Sequence, residues 1–502
     1  MNVVRRILSI LICLSLLITS GAFALTKEKE TETVEYTKPL NDRALDMLRL
    51  NMSGSNNPLM TNYFCADPTA IEYEGRLYVY ATADQMQFDV KGDKENTYEC
   101  IRGLVVFSTA DMVNWRYEGI IDVKGIAKWA MAGWAPSIVS RPEEDGLTHF
   151  YLYFANSGAG VGVLTATSPV GPWSDPLGHA LVSGTTKGLG QCNWIFDPGV
   201  CIDDNGTGWL SFGGGNPHAN TTNALPGNAR IVKLGKDMIS FDSEIVVMDA
   251  PYHFEANELN YIDGTFVYTY CSNWVARDEW DTEKWGDKKC SICSMCYMTS
   301  KTPLDRESWV YRGEYLKNPG SMSMETSNNH THVEQFAGNW YIFYHTLMLQ
   351  KTRGISGGYR GVQADEINVI CENGTVTVEN CRAGMKGVKP VASVDPYTEQ
   401  SARSAAISSC AVNEQGIKAV KGDMMLVRNV DFGTGCKTAI LRARGSGSIF
   451  LFADNMGNDP FVSMKVEEGE YFSLSGNASL EGVHDLIFVF DGDIELTAWQ
   501  FE

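Results

Sequence analysis

Five times along this chain a turn opens into a strand of alternating aromatic and small residues, and that recurrence restricts the fold more than any other feature. The copies are EGRLYVYAT (74–82), DGLTHFYLYFA (145–155), NGTGWLSFGG (205–214), DGTFVYTYCS (263–272) and AGNWYIFYHT (337–346), starting 71, 60, 58 and 74 residues apart. A period of two puts successive side chains on opposite faces, as in a β-strand. A second stretch follows four of the copies: VVFSTADMVNW (105–115), VGVLTATSPVGPW (161–173), ARIVKLGKDMISF (229–241) and CYMTSKTPLDRESW (296–309). Each unit therefore holds at least two strands and a variable loop. Five such units predict a five-bladed β-propeller, small antiparallel sheets set around one axis. A non-repetitive β-sandwich with chance aromatic strands is the competing arrangement, and the similar spacing of five copies argues against it.

The segment before each strand occupies the same phase of every unit. These segments are FCADPTA (64–70), WAPSI (134–138), IFDPGVC (195–201), HFEANEL (253–259) and NNHTHVE (328–334). Equivalent positions of a propeller converge near the axis, so Asp67, Asp197, Glu255, Trp134 and His330 are expected around one cleft. An Asp before Pro is by itself an ordinary turn or cap residue; it is the recurrence that points to a site. Converging carboxyls repel one another, which raises the pKa of at least one of them. A protonated acid facing an ionised base suits glycoside hydrolysis: the acid protonates the leaving oxygen while the base activates water. Aromatic and amide side chains in the same cleft would stack on sugars and bind their hydroxyls. Calcium ligation is the competing role for such carboxylates, but no dense D-x-D-x-D loop surrounds them.

Composition removes other classes. Aromatics make up 11% of the 502 residues and hydrophobics 44%, too much apolar surface for a disordered chain. Forty-eight glycines and the lack of heptads argue against a coiled coil. The formal charge of −20 repels phosphates and anionic membranes, so no nucleic-acid partner is expected. At the N-terminus, MNVVRR is a basic region, ILSILICLSLLI an apolar run, and Ala22-Phe23-Ala24 a small-x-small cleavage site. The run is shorter than the ~20 residues that span a bilayer. Residues 1–24 are therefore expected to be a signal peptide and the mature protein to be secreted, extracellular or periplasmic, with no membrane association. Residues 25–56 form a polar lead-in, expected to be loosely attached.

Removing the signal leaves 12 of 13 cysteines, an even number that permits disulfides without fixing their pairing. Cys290, Cys293 and Cys296 form CxxCxxC, which could hold a metal, but no fourth ligand is nearby. The segment reads as a strand with Cys290 and Cys296 on one face and Cys293 on the other, all as small buried hydrophobes.

FCADPTAIEYEGRLYVYATAD, WAPSI, WIFDPGVCIDDNGTGWLSFGGG, FEANELNYIDGTFVYTYCSNW and NNHTHVEQFAGNWYIFYHT resemble, in order over about residues 57–385, glycoside hydrolase family 43. The resemblance is greatest to its arabinoxylan arabinofuranohydrolase and xylosidase-like branch. It implies a five-bladed propeller and an inverting reaction. It assigns Asp67 as general base, Asp197 as the residue that tunes and orients the acid, and Glu255 as general acid. Arg360, in GGYRG, matches an arginine near the sugar pocket. Trp134, Phe196 and Asn329 are expected to bind substrate with it. His330 matches an axial histidine that in parts of the family helps hold a calcium, so a structural calcium is possible here although no cofactor is required. The family often places a second His or a small residue after that histidine; this chain has Thr331 and His332.

The tail changes character. Segments such as LVRNVDFGTGCKTAILRARGSGSIFLFADN and GVHDLIFVFDGDIELTAWQFE alternate between Gly/Asp turns and predict a smaller β-sandwich. They resemble carbohydrate-binding module family 6, with departures. Glu399-Gln400-Ser401 stands where that family has a glutamate-rich, calcium-binding opening. Ala498 replaces an acidic residue, and Trp499, the tail's only Trp, reads as core, leaving Tyr471 as the nearest spare aromatic. A sugar-binding and a purely structural role both stay open. The organisation expected is thus a propeller over 57–388 and a sandwich over 389–502. The activity expected is release of arabinofuranosyl units from arabinoxylan or related hemicellulose. A β-xylosidase (or bifunctional enzyme), or a catalytically silent sugar-binding propeller, is the alternative.

Overall fold

The computed structural model describes residues 28–30, 34–36, 39–215, 223–469 and 472–502. The expected signal peptide and Tyr471 lie outside them. Among the described residues, four blades of four consecutive strands and one of three follow in chain order, and the tail strand Ser404–Ala405 adds a fifth to the outer edge of the first. Blade 1 runs Ala66–Tyr73, Arg76–Thr82, Leu104–Thr109 and Trp115–Ile121, and blade 2 Trp134–Pro142, Thr148–Ala155, Gly160–Ala166 and Val182–Ser183. Blade 3 is Gly199–Ile202, Gly208–Phe212, Arg230–Lys233 and Val246–Val247; blade 4 is His253–Ile262, Thr265–Ser272, Met295–Ser300 and Val310–Leu316. Blade 5 is Thr331–Phe336, Asn339–Thr346 and Gly361–Glu366. The five repeated aromatic stretches supply the second strand of each blade. Their apolar faces pack blade against blade, as where Tyr80, Phe150 and Leu152 share one cluster. The innermost strands touch in sequence, and that of blade 5 returns to that of blade 1.

The ring is closed by the chain that enters blade 1. Leu59 N–H donates to Val362 O at 2.8 Å, and the Asn57 amide bonds both ways with Ala364, binding the missing edge of blade 5.

Beyond the propeller, Thr438–Ala453 pairs along Val483–Phe501, two strands of 16 and 19 residues that bend sharply together. The bend requires glycine: Gly445 has φ +126°, and a Cβ there would lie 2.1 Å from Asp493 O. Because both long strands curl, one continuous sheet folds over a core that includes Leu441, Phe488 and Trp499. Trp499 is interior, not a binding platform.

Two expectations are corrected. The lead-in is not loose along its length. Asn41 caps a helix over Asp42–Met52, its side chain accepting Ala44 N–H at 2.9 Å. Ala44, Met47 and Leu50, one helical face, bury against Met424, Leu426, Phe450 and Val489 of the tail. Polar spacing in the sequence concealed a narrow apolar stripe. Likewise the CxxCxxC segment is not one strand: Cys290 and Cys293 precede Met295–Ser300 in a turn, and only Cys296 is in the strand. Cys290 and Cys296 do share one cluster and Cys293 another, and all three are buried.

Candidate active site

The site is made by one backbone device that recurs in several blades. In blade 1 Ala66 pairs with Thr82 and Thr69 with Tyr80, so Asp67 and Pro68 bulge opposite Ala81. Ala135-Pro136 do the same in blade 2 and Ala256-Asn257 in blade 4. Pro lacks an N–H, and a bulge is where an inner strand tolerates it. The bulged residue takes a left-handed conformation each time, with φ +51° at Asp67, +40° at Ala135 and +61° at Ala256, and Asp197, two residues before the blade 3 strand Gly199–Ile202, has the same conformation at +46°. Left-handed non-glycine residues carry strain and gather at functional sites.

This geometry refines the phase read from sequence. Asp67 and Asp197 occupy the left-handed position, but in blade 4 that position is Ala256, and Glu255 comes one residue earlier, level with Trp134 and Phe196.

At the mouth of the bulges lies a cavity of about 570 Å³. Asp67, Trp134, Phe196, Asp197, Glu255, Asn329, His330 and Arg360 all line it, so every site residue expected from the sequence is brought to one place. Thr82, Tyr98 and Trp194 also line it and were missed. Trp194 had a signal, two residues before Phe196 in a motif already singled out; Thr82 merely ends a repeated strand. The side walls are aromatic. Trp134 meets Tyr98 edge-on, and Trp194, 42% exposed, meets Phe196 and Phe254 in the same way.

The floor is charged and ordered. Asp67 Oδ1 accepts Arg360 NH1 at 2.9 Å and Oδ2 accepts Thr82 Oγ1 at 2.8 Å. Arg360 is itself fixed by Asp84, through Nε at 2.9 Å and NH2 at 2.8 Å. Thr82 Oγ1 in turn accepts Ala135 N–H at 2.8 Å, locking blade 1 to blade 2. Burial disfavours the Asp67 charge, but Arg360 foremost, then the neighbouring His345 and His330 rings and the Thr82 hydroxyl, outweigh it, and the carboxyl is held down at about 2. His345 Nδ1 accepts the Asp67 N–H at 3.1 Å, while its Nε2 faces Asn328 O at 3.0 Å. Burial and then Arg360 hold this imidazole near 3, so it is neutral and acts as an acceptor rather than a cation.

Across the cavity the balance reverses. Burial, and then the Asp67 charge, raise Asp197 to about 6, against the Ala256 N–H that its Oδ2 accepts at 2.8 Å. Glu255 is pushed well above the carboxylate range by burial first and Asp197 next. Among the described residues no protein group hydrogen-bonds its carboxyl. One cavity thus holds an ionised carboxylate and a protonated carboxyl, a proton acceptor and a proton donor at neutral pH.

Among the described residues, both amide atoms of Asn329 and Nε2 of His330 are buried without a protein partner, polar groups open to a ligand. Calcium prefers six to eight oxygens. His330 offers one nitrogen, and among the described residues no three His, Cys, Asp or Glu side chains converge as a metal site. The protein groups therefore do not fit direct calcium ligation. Behind the bulges the axis is filled by protein: Glu258 Oε1 lies 3.4 Å from His332 Nδ1, with Ser137 Oγ 3.2 Å from Oε2.

A propeller whose axial cavity opposes an acidic and a basic carboxyl between aromatic walls has the equipment of a glycoside hydrolase. Residues 55–370 match the profile of glycosyl hydrolases family 43, and the chain belongs to that family. The arabinoxylan arabinofuranohydrolase of Bacillus subtilis (strain 168) is 38% identical over 490 residues, 89% of this chain and 92% of that protein. An arabinoxylan arabinofuranohydrolase from Paenibacillus polymyxa is 33% identical over 92% of this chain and 76% of its own length. The crystal structure of a family 43 arabinoxylan arabinofuranohydrolase from Bacillus subtilis, in complex with cellotetraose, superposes with a TM-score of 0.81 at 33% identity, covering 89% of this chain and 97% of that one.

Proposed function

We propose that this glycoside hydrolase releases α-L-arabinofuranosyl units from arabinoxylan with inversion. The observation that carries the reading is the opposed pair in one cavity: Asp67 ionised by Arg360 and Thr82, and Glu255 kept protonated by burial and Asp197. In this reading Asp67 takes a proton from water as that water attacks the anomeric carbon. Glu255 gives its proton to the departing glycosidic oxygen, and Asp197 raises and orients Glu255. Asn329 and Arg360 bind sugar hydroxyls, and the aromatic walls hold the ring and the chain it leaves. Similarity to the two arabinoxylan arabinofuranohydrolases extends through the tail as well as the propeller, which supports the polysaccharide over a short xyloside. Export through residues 1–24 belongs to the same proposal, since a polymeric substrate lies outside the cell.

The test is to assay purified enzyme on aryl α-L-arabinofuranoside, aryl β-xyloside and arabinoxylan, identifying the sugar released. Arabinose from arabinoxylan is expected. Hydrolysis of the β-xyloside alone would make it a xylosidase, and no turnover on any would leave a sugar-binding propeller.

A further inference from the structure

Four cysteines gather behind Glu255 in blade 4, and the proposed reaction uses none of them. Cys271 is the cross-strand partner of Glu255. Its Sγ lies 3.6 Å from that of Cys293, in the turn before Met295–Ser300. The ladder continues past both residues: Ser272 N–H donates to Ser294 O at 2.9 Å and Cys293 N–H to Asn273 O at 3.1 Å. The two are diagonal neighbours on one face of this pairing, and both are fully buried. Arg277 holds the two segments together without touching either sulfur, donating to Ser272 Oγ at 2.9 Å, Asn273 Oδ1 at 2.7 Å and Ser291 O at 2.7 Å. The sulfurs need approach by only about 1.5 Å to reach bonding distance.

The second pair, Cys290 and Cys296, lies on the opposite face, in the cluster with Tyr270 and Tyr311. Its chemistry differs. Arg277 Nε donates to Cys290 Sγ at 3.2 Å, so bridging that sulfur would weaken an acceptor that a buried cation uses. Apart from each other, among the described residues Cys271 and Cys293 reach only carbonyls, at 3.5 and 3.7 Å, contacts too weak to oppose oxidation.

We propose that Cys271 and Cys293 form a disulfide when the chain folds in the presence of a disulfide oxidant, tying the turn at 290–294 to the strand that backs Glu255. One cysteine thiolate attacks the oxidant RSSR and expels one RS⁻. The other cysteine then displaces the second RS⁻ from the mixed disulfide. Two thiols and RSSR become one protein disulfide and two RSH; two electrons pass to the oxidant sulfurs, and both protons leave with the released thiols. Because both side chains are buried, the bond forms before folding is complete and is afterwards shielded from reductant.

The full chain is refolded with oxidised and reduced glutathione, denatured in iodoacetamide without reductant, digested and mapped by mass spectrometry. A Cys271–Cys293 cross-linked peptide is expected, absent when refolding is done under dithiothreitol. The folded oxidised protein should keep it in dithiothreitol and melt about 3–5 °C above the reduced form, since the bridge closes a loop in the unfolded chain. Alkylation of both cysteines after oxidative refolding, or bridging of either to another partner, overturns the proposal. The map uses no variant and no substrate, so it stands or fails independently of the assigned activity.

Discussion

Replacing Asp197 by Asn removes a negative charge beside Glu255 while keeping an acceptor for the blade 4 bulge. Asp197 Oδ2 accepts the Ala256 N–H at 2.8 Å, and an amide oxygen can take that bond. Both carboxyls line the one cavity, and the Asp197 charge is, after burial, the largest cause of the raised Glu255 pKa. Unit charges about 6 Å apart at an effective dielectric of about 20 repel by about 2.8 kcal/mol, or about two pK units. Solvent in the cavity mouth screens part of this, so the Glu255 pKa should fall by about one unit. Burial, the larger cause of its raised pKa, is untouched by the substitution. The sign follows from the role. Glu255 works protonated, so the basic limb of kcat/KM marks loss of its proton, and a lower pKa moves that limb to lower pH. Asp197 ionises near 6, so the native repulsion is fully present only above that pH, where the limb is read. The assay is kcat/KM on aryl α-L-arabinofuranoside across the pH range for both enzymes. Turnover should fall whatever the mechanism; the shift is what discriminates. A basic limb that stays in place or moves up would refute the argument, leaving Asp197 to act by orientation alone.

Asp67→Asn should fold and bind ligand yet lose about 10²–10⁴-fold in kcat, without rescue by azide, and wild type should give the inverted anomer first by NMR; retention of a tenth of kcat, or of configuration, contradicts the assignment. Thr82→Val removes a hydrogen bond to a charged carboxylate worth about 1.5–3 kcal/mol, so the Asp67 pKa should rise by about one unit or more. The acid limb of kcat/KM should then move up while KM changes little; an unmoved limb counts against the Thr82 contact. Met47→Ala empties a buried site between the helix and the tail, and denaturant unfolding should register about 2–4 kcal/mol less stability. A loss near zero would mean that the helix is not docked in solution.

Much of this site is legible in the sequence. Asp67, Asp197 and Glu255 were found because each precedes a repeated strand, and a propeller turns equal phase into spatial convergence. The aromatic strands and their turns were equally open, since period-two alternation and Gly/Asp punctuation are local. The register of Glu255 was not. The bulge that shifts it by one residue is defined by pairing with Cys271 and Thr269, not by anything in FEAN itself. Thr82 and His345 were missed for a related reason: neither carries a motif, and each matters only through the atom that it faces.

Sequence by itself determined the number of blades, their order and the carboxyls available to the axis, because these follow from short-range patterns that any fold of this chain must satisfy. Only the tertiary structure shows why carboxyls at one phase of the repeat differ in charge. Asp67 and Asp197 share the same local motif and the same left-handed backbone, yet Asp67 is held near 2 and Asp197 near 6. The difference is Arg360, 293 residues away along the chain but 2.9 Å from Asp67. A pKa is set by the charges and water within a few ångströms, and ring closure between blades 5 and 1 is what brings that charge to Asp67.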